Sequence, residues 1–331
     1  AALETPGKRA LLIDVTTNTI LFEKNADIPA PPASLSKLMT LYMLFERLAD
    51  GGLSLSDTFS VSEKAWRMGG SKMFVRVNTR VTIKDLIRGI VVQSGNDACI
   101  VVAEGLAGTE SAFAEEMTRR GREIGLEQSE FKNSSGWPET DHLMSARDLA
   151  VLAARLITDF PQYYTYFAEK SFTYNKIRQG NRNPLLYKAV GADGLKTGHT
   201  SDAGYGLVAS TLRGERRLIL VIGGLDSVTQ RSREAERLLD WGYREFGNYR
   251  LFNARDIVAK ADVWLGTSDA VPLAIKDDLV VTITRKARRS MRVSVVYEGP
   301  LEAPISEGDE VAELKLSTLE GEETRIPLYA A

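Results

Sequence analysis

Two segments far apart in the chain have the pattern of a β-hairpin, and together they constrain the fold more than any other feature. The first is "KRALLIDVTTNTILFEKNAD" (8–27), with a Thr-Thr-Asn turn, and the second is "GYGLVASTLRGERRLILVIGGL" (204–225), with an Arg-Gly-Glu turn. Apolar residues recur at helical spacing in the segments 34–49, 83–93, 97–106, 110–124, 145–157 and 229–246. The order of strands, many helices, strands and a helix predicts an α/β (α+β) fold in which helices flank an antiparallel sheet.

The pattern changes after residue 246. "LVVTITRK", "MRVSVVYEG" and "VAELKLS" alternate apolar and polar residues as short strands do, with turn residues between them, and no helical period persists. At 331 residues the chain is long enough for two domains. We therefore expect a first domain at residues 1–246 and a small, sandwich-like carboxy-terminal β domain at residues 247–331.

The composition excludes several classes of partner and site. The 42 basic and 44 acidic side chains nearly cancel, so nothing in the net charge favours nucleic acid or an anionic membrane surface. No apolar run approaches the ~18 residues that a membrane-spanning helix needs. Cys99 is the only cysteine, and His142 and His199 are the only histidines. This count rules out an intrachain disulfide, a thiolate cluster and a His-rich metal site, so we expect neither a metal nor a cofactor.

A serine and a lysine lie three residues apart at the start of the apolar helical segment "PPASLSKLMTLYML" (31–44). At this spacing Ser34 and Lys37 share one face of the helix, one turn apart. The lysine could take a proton from the serine, or it could be the polar edge of an amphipathic helix. The same spacing recurs at Ser129 and Lys132, in a turn-rich segment with no apolar helix behind it. The motif alone therefore does not establish catalysis.

Two further polar motifs each occur once in the chain. Ser94-Gly-Asn96, in "IVVQSGNDACIVV", lies between two apolar helical stretches and is either an interhelix turn or part of a cavity lining. Lys-Thr-Gly at 196–198, in "DGLKTGHTSDAGYGLVAS", is either a polar turn before a strand or part of a site. His199 follows it, but the chain has no Gly-x-Ser-x-Gly segment that would supply a serine for a Ser-His-Asp triad.

In the order Ser34, Ser94, Lys196 the three motifs resemble the signature of the penicillin-recognising serine acyltransferases. The flanking segments "ASLSKLMT", "QSGNDAC", "SARDLA", "NRNPLL", "DGLKTGHT" and "REAERLLDWG" are similar to D-alanyl-D-alanine carboxypeptidases of the low-molecular-mass penicillin-binding type. The resemblance implies a penicillin-binding-protein/β-lactamase-like transpeptidase fold. It also implies a serine hydrolase that removes the terminal D-alanine from peptidoglycan stem pentapeptides and is acylated by β-lactam antibiotics.

The resemblance assigns catalytic roles to three residues. Ser34 attacks the carbonyl between the two D-alanines, Lys37 accepts the proton of Ser34, and Ser94 relays a proton towards the leaving amine. A serine hydroxyl needs such a neighbouring base, and a lysine can act as one only when it is neutral. Burial favours the neutral amine, and a second ammonium nearby, such as that of Lys196, would favour it further.

The resemblance also implies a set of substrate-binding residues, namely Asn96, Lys196, Thr197, Gly198, His199 and Arg231. Asn96 would bind the substrate amide, and the backbone N–H groups of Ser34 and His199 would form an oxyanion hole. Lys196 and Thr197 suit a free terminal carboxylate, which an arginine fork also binds well. Arg231 lies ten residues before Trp241, at the family's position for that arginine, and is favoured over Arg233.

Other functions remain open at this stage. A β-lactamase would use the same acylation, but the chain has no Glu-x-x-Leu-Asn segment between the second and third motifs, and class A β-lactamases lack the extra β domain. The further alternatives are a D,D-endopeptidase and a non-catalytic wall-binding protein with a vestigial site. Family members act outside the cytoplasmic membrane, so we expect the periplasm or the outer face of the inner membrane. Many carry a carboxy-terminal amphipathic helix, which "RIPLYAA" is not, so peripheral membrane attachment would require an anchor beyond this chain.

Overall fold

The structure is a computed structural model that describes residues 2–321 and 323–331. Two compact units are present, Ala1–Gly242 and Tyr243–Ala331. The domain boundary expected after residue 246 stays a prediction. Among the described residues, no helix combines the length and the apolar character that crossing a membrane requires.

The described strands of the first unit are β1 (Arg9–Asp14), β2 (Thr19–Lys24), β3 (Thr58–Ser60), β4 (Arg80–Thr82), β5 (Ser171–Tyr174), β6 (Ile177–Gly180), β7 (Ala192–Thr200), β8 (Gly204–Arg213) and β9 (Arg216–Leu225). Its helices are α1 (Lys37–Ala49), α2 (Glu63–Arg67), α3 (Ile83–Val91), α4 (Asn96–Ala107), α5 (Glu110–Glu123), α6 (Ala146–Asp159), α7 (Pro161–Tyr164) and α8 (Val228–Glu245). Short 3₁₀ turns are formed by Ala33–Ser36, Thr165–Ala168 and Pro184–Tyr187.

The two predicted hairpins join in one antiparallel sheet with the strand order β2-β1-β9-β8-β7. Leu12 of β1 pairs with Leu220 of β9, so the two ends of the unit's sequence meet at the centre of the sheet. β3 pairs with β4, and β5 pairs with β6, in two small separate sheets. The predicted antiparallel sheet with helices is therefore confirmed.

Helix α1 is central to the core of the first unit. Its sequence is apolar on nearly every side, and Leu38, Met39, Leu41, Leu44 and Phe45 are completely buried. Because α1 lies inside the protein, its first residue, Lys37, is also completely buried. The fold thereby places a lysine amine away from water at the end of the helix.

The structure differs from the predicted pattern at the Lys-Thr-Gly motif. This motif lies within strand β7, at the edge of the large sheet, and is not a turn before a strand. Neighbouring strand β8 pairs with it from Ala192↔Thr211 to Thr200↔Gly204. The sequence of β7 does not predict a strand, because strands are recognised by alternating apolar residues and β7 is mostly polar and contains glycine.

The second unit consists mainly of strands. They are β10 (Phe246–Phe252), β11 (Ile257–Trp264), β12 (Ala270–Ala274), β13 (Leu279–Thr284), β14 (Arg292–Val296), β15 (Leu301–Glu302), β16 (Glu310–Ser317) and β17 (Glu323–Ala330). Six of them form a sheet in the order β14-β16-β17-β12-β11-β15, and β10 pairs with β13. Leu273, Leu314 and Leu328 are in its core. Contrary to the expectation that no helix occurs here, "LVVTITRK" runs into a short helix, α9 (Arg285–Ser290), which the Thr284 hydroxyl caps.

We predict that the ion pair between Asp14 and Arg216, which joins the end of β1 to the start of β9, stabilises the first unit. Arg216 Nε lies 2.6 Å from Asp14 Oδ2, and the Asp14 side chain is completely buried. Arg216→Met leaves a buried carboxylate without this partner, so the free energy of unfolding should fall by about 3 kcal/mol or more. Urea denaturation measures this change.

The matched control is Arg119→Met, because Arg119 and Glu123 form an exposed pair. Exposed pairs contribute only about 0–1 kcal/mol, so this variant should unfold close to the unsubstituted midpoint. Equal midpoints for the two variants would contradict the assignment of stability to the buried pair.

Candidate active site

Ser34 and Lys37 meet at the entrance of helix α1. Ser34 lies in the 3₁₀ turn Ala33–Ser36, and Lys37 begins the helix immediately afterwards. Lys37 Nζ is 2.6 Å from Ser34 Oγ and donates a second hydrogen bond of 2.7 Å to the Ser135 carbonyl. The amine is therefore held within proton-transfer distance of the hydroxyl, as a general base requires.

The environment of Lys37 favours its neutral form. Burial and, to a lesser extent, the positive charge of Arg182 lower the pKa of the Lys37 amine to about 8, while Cys99 and Asp97 act in the opposite direction. The expected repulsion between the Lys37 and Lys196 amines is seen at Lys196, whose pKa the charge of Lys37 lowers, and Arg182 supplies a further positive charge near Lys37. A substantial fraction of Lys37 is therefore neutral near pH 8.

The loop 133–142 packs along the turn that carries Ser34. Besides the contact between Ser135 and Lys37, the Thr40 hydroxyl donates a 2.6 Å hydrogen bond to the Ser134 carbonyl. Gly136 has φ +83°, and a Cβ there would lie only 1.9 Å from the Ala33 carbonyl oxygen. The close approach thus requires glycine at this position.

The Ser94-Gly-Asn96 motif forms the turn between α3 and α4, opposite the third motif. Ser94 has φ +52°, a conformation that non-glycine residues rarely adopt. Lys196 Nζ donates a 2.9 Å hydrogen bond to Ser94 Oγ. Asn96 Nδ2 donates to the Gly69 carbonyl at 3.0 Å. The second and third motifs are thus in direct contact.

The carboxylate of Asp97 fixes the loop that faces this turn. It accepts hydrogen bonds from three consecutive backbone N–H groups, those of Met73, Phe74 and Val75, at 2.9, 2.9 and 3.1 Å. Asp97 is buried at the start of α4, next to Asn96. The loop that supplies the Gly69 carbonyl is therefore anchored to the same helix end as Asn96.

Strand β7 brings the third motif beside the serine. A Cβ on Gly198 would lie 3.2 Å from the Leu35 backbone nitrogen, so the strand passes close to the turn that contains Ser34. Lys196 and Thr197 are buried. The His199 side chain is exposed, and its ring stacks on that of Tyr205 with a centroid separation of 3.8 Å.

Burial lowers the pKa of Lys196 well below its usual range, and the charge of Lys37 lowers it further. The two buried amines therefore disfavour a state in which both are charged. Lys196 also donates to the Thr197 carbonyl at 3.0 Å, so its position is fixed by two hydrogen bonds.

The two candidate carboxylate-binding arginines are in different environments on α8. Arg231 is only 5% exposed, and its Nη1 donates weakly to the Gly198 carbonyl at 3.4 Å and to the Gly206 carbonyl at 3.3 Å. Its Nε is buried and has no hydrogen-bond partner within residues 2–321 and 323–331. Arg233 is exposed. A buried donor without a partner is costly unless a ligand satisfies it, which distinguishes Arg231.

The remaining candidates from the sequence lie elsewhere or have other roles. The second Ser-x-x-Lys pair is separated, since Ser129 Oγ donates to Asp148 at 2.6 Å and Lys132 pairs with Glu130. Cys99 is buried, and burial raises its pKa to about 12, so the thiol is not a nucleophile. In the described part of the chain, no group of three or more His, Cys, Asp or Glu side chains could hold a metal ion.

Sequence reasoning missed the groups that support the motifs. Neither Ser135 nor Gly136 belongs to a recognised motif, and both act through the backbone. Arg182, whose guanidinium donates a 2.7 Å hydrogen bond to Ser71 Oγ, was also missed. The available signals were the segment "NSSGW", whose glycine marks a tight approach without identifying what it approaches, and the segment "NRNPLL", which contains Arg182 without giving it a role.

An open cleft of about 580 Å³ adjoins the Ser34 turn. Its walls are Pro31–Ala33, the loop from Gly136 to Leu143, and Thr200 with Asp202.

Comparison with known proteins identifies the family of both parts of the chain. The family described as D-alanyl-D-alanine carboxypeptidase matches residues 1–227, and the penicillin-binding protein 5 C-terminal domain matches residues 246–331. D-alanyl-D-alanine carboxypeptidase DacA of Escherichia coli K12 is 37% identical over 309 residues, covering 91% of this chain and 77% of the relative.

Two solved structures share the fold along the whole chain. Penicillin-binding protein 5 of Haemophilus influenzae has a TM-score of 0.87 and 33% identity, with coverage of 100% of this chain and 98% of the relative. The carboxypeptidase DacD of Francisella tularensis has a TM-score of 0.90 and 28% identity, with coverage of 100% and 94%. The chain therefore belongs to the D-alanyl-D-alanine carboxypeptidase family of penicillin-binding serine hydrolases.

Proposed function

We propose that Ser34 is the nucleophile and Lys37 the base with which this chain removes the terminal D-alanine from peptidoglycan stem pentapeptides. The observation that carries the proposal is the 2.6 Å contact between a completely buried amine and the Ser34 hydroxyl. A neutral Lys37 accepts the hydroxyl proton as Ser34 Oγ attacks the carbonyl between the two D-alanines.

Acylation is completed when the carbon–nitrogen bond breaks and the departing amine takes up a proton. Ser94 Oγ relays this proton: it gives its own proton to the amine and takes up the one that Lys37 accepted from Ser34, so Ser94 keeps its hydroxyl and Lys37 is neutral again. Lys196, 2.9 Å away, supports Ser94 with a hydrogen bond. D-alanine leaves with its new amine, and the rest of the peptide remains as an ester on Ser34. Water then hydrolyses the ester and regenerates the hydroxyl.

The negative charge of the tetrahedral intermediate develops on the former carbonyl oxygen. In the proposed mechanism the backbone N–H groups of Ser34 and His199 donate to this oxygen. Loss of one such donor costs roughly 10²–10³ in rate in a well-studied hydrolase. The close packing of Gly198 against Leu35 supports this assignment, because it keeps strand β7 beside the serine turn.

Substrate recognition divides between an amide and a carboxylate. Asn96 hydrogen-bonds the peptide amide, and Lys196 and Thr197 bind the terminal carboxylate together with Arg231. The unpartnered Nε of Arg231 among the described residues supports its role, since an anion would satisfy a buried donor. This division selects peptides that end in a free carboxylate.

β-Lactam antibiotics acylate the same serine in this proposal, because their strained amide presents a carbonyl to the same site. The substrate is part of the cell wall, so the enzyme works in the periplasm or at the outer face of the inner membrane. Residues 1–246 would carry the chemistry, and residues 247–331 would form the separate carboxy-terminal domain.

Replacing the nucleophile should abolish turnover. We expect Ser34→Ala to lower kcat for D-alanine release from a pentapeptide by at least about 10⁴-fold, because within the described residues Lys37 hydrogen-bonds no other hydroxyl. Mass spectrometry should show a penicillin adduct on Ser34 of the unsubstituted protein and none on the variant.

Ser129→Ala is the matched control, because it removes the serine of the second Ser-x-x-Lys pair and should retain acylation. Retained D-alanine release by Ser34→Ala would refute the assignment. A short-lived penicillin adduct would favour a β-lactamase, and cleavage of crosslinked peptides in place of pentapeptides would favour an endopeptidase.

The pH dependence of acylation should report the Lys37 amine. Its pKa is lowered to about 8, so the charged, inactive form predominates below that value. The second-order rate of penicillin acylation should rise about tenfold per pH unit below the pKa and level off above it. A rate that stays constant between about pH 6 and about pH 9 would exclude Lys37 as the base.

Arg231 and Arg233 can be separated by matched substitutions. Arg231→Gln should lower kcat/KM for a pentapeptide by about 10- to 100-fold, because it removes a charge-assisted contact with the terminal carboxylate. Arg233→Gln should change it by less than about twofold, since an exposed side chain makes little energetic difference. Amidating the peptide's terminal carboxylate should slow the unsubstituted protein much more than Arg231→Gln, and equal slowing would contradict the role of Arg231.

A further inference from the structure

A buried histidine lies behind the serine turn, outside the residues assigned to the reaction. His142 is 2% exposed and lies in the loop that lines the cleft next to the turn. Its Nδ1 is 2.9 Å from the Lys132 backbone nitrogen, and its Nε2 is 3.1 Å from Ser36 Oγ. The imidazole therefore bridges its own loop and the segment that carries Ser34.

The hydrogen bonds of His142 fix the position of its proton. A backbone N–H can only donate, so Nδ1 must accept from Lys132 and the ring proton must be on Nε2. Burial and, to a lesser extent, the charge of Lys37 lower the pKa of His142 to about 4, so the ring is neutral at neutral pH. Nε2–H consequently donates to Ser36 Oγ.

Ser36 connects His142 to the backbone of the serine turn through a second hydrogen bond. With its oxygen accepting from His142, its hydroxyl proton is free to donate to the Ala33 carbonyl, 3.2 Å away. That carbonyl belongs to the peptide group between Ala33 and Ser34, and the N–H of the same group is the oxyanion donor of the proposed mechanism. A hydrogen bond accepted at the carbonyl orients the peptide plane and strengthens the N–H as a donor.

The peptide group needs such support because its conformation is unusual. Ala33 has φ +52°, which is unfavourable for a residue with a side chain. Gly136 packs against the Ala33 carbonyl oxygen, so the group is confined by packing and by the Ser36 hydroxyl. Loss of the hydrogen bond from the Ser36 hydroxyl would allow the plane of the peptide group between Ala33 and Ser34 to rotate.

We propose that His142 is a positioning residue for the oxyanion hole: through Ser36 it orients the peptide group that presents the Ser34 N–H to the substrate. The inference rests on the proposed role of that N–H in catalysis. Donors that are fixed before the reaction stabilise the developing charge without a reorganisation cost. The hydrogen bonds from His142 through Ser36 to the Ala33 carbonyl, here called the relay, therefore increase the rate of acylation.

The test distinguishes the hydrogen bond made by Nδ1 of His142 from the one made by Nε2. His142→Asn keeps an acceptor near the position of Nδ1 but has no group that reaches Ser36, whereas His142→Gln places an amide N–H near the position of Nε2. Ser36→Ala removes the second member of the relay with a smaller change in volume. Each variant is acylated with a penicillin, and infrared difference spectroscopy records the ester carbonyl stretch of the acyl-enzyme.

We expect His142→Asn and Ser36→Ala to be acylated about tenfold more slowly, with the ester carbonyl band shifted to higher wavenumber as its hydrogen bonds weaken. Their double variant should be no slower than either alone, because both break one relay. His142→Gln should restore the rate and the band. Thermal melting verifies that the variants are folded.

An unchanged carbonyl band in Ser36→Ala would overturn the relay, as would a folded His142→Gln that behaves like His142→Asn. These results leave the proposed function intact, since the adduct still forms on Ser34. The absence of any Ser34 adduct on the unsubstituted protein would overturn the proposed function, and the inference would fall with it.

Discussion

The arrangement of the active site depends on the burial of the Lys37 amine at the start of helix α1. Lys37 begins a helix whose residues form the centre of the core, so its amine cannot reach water and must find partners inside the protein. The Ser135 carbonyl is a permanent acceptor for one N–H, and the Ser34 hydroxyl is the other neighbour. The desolvation that lowers the amine's pKa is thus a consequence of core packing, and the same packing that stabilises the fold prepares the base.

The other polar groups of the site are held by the backbone of neighbouring elements. The 133–142 loop contacts the serine turn through carbonyl groups and a glycine, and strand β7 approaches it at another glycine, Gly198. These contacts need short side chains or none, which explains why the supporting residues are small. A larger residue at Gly136 would push the loop away from Ala33, and the Lys37 amine would lose its acceptor.

Much of the fold could be predicted from periodicity, because hairpins and amphipathic helices leave regular patterns. Helix α6 begins after Ser145, whose hydroxyl accepts from the Asp148 N–H, close to the start of the segment predicted at 145–157. Strand β7 was not predicted because its sequence is largely polar and contains glycine, and helix α9 was not predicted because it is short and polar. The motifs around Ser34, Ser94 and Lys196 could be found because each has a fixed spacing. The roles of Ser135, Arg182 and His142 could not, since each depends on contacts between residues remote in sequence.

The Asp97 carboxylate couples the loop 69–75 to the start of helix α4. It holds three successive amides of the 73–75 segment at the very turn of helix from which Asn96 projects, and Asn96 in turn holds the Gly69 carbonyl. The loop 69–75 and the first residues of α4 are therefore joined by four hydrogen bonds. A displacement of this loop should move Asn96 with it, so the position of the amide side chain depends on the loop.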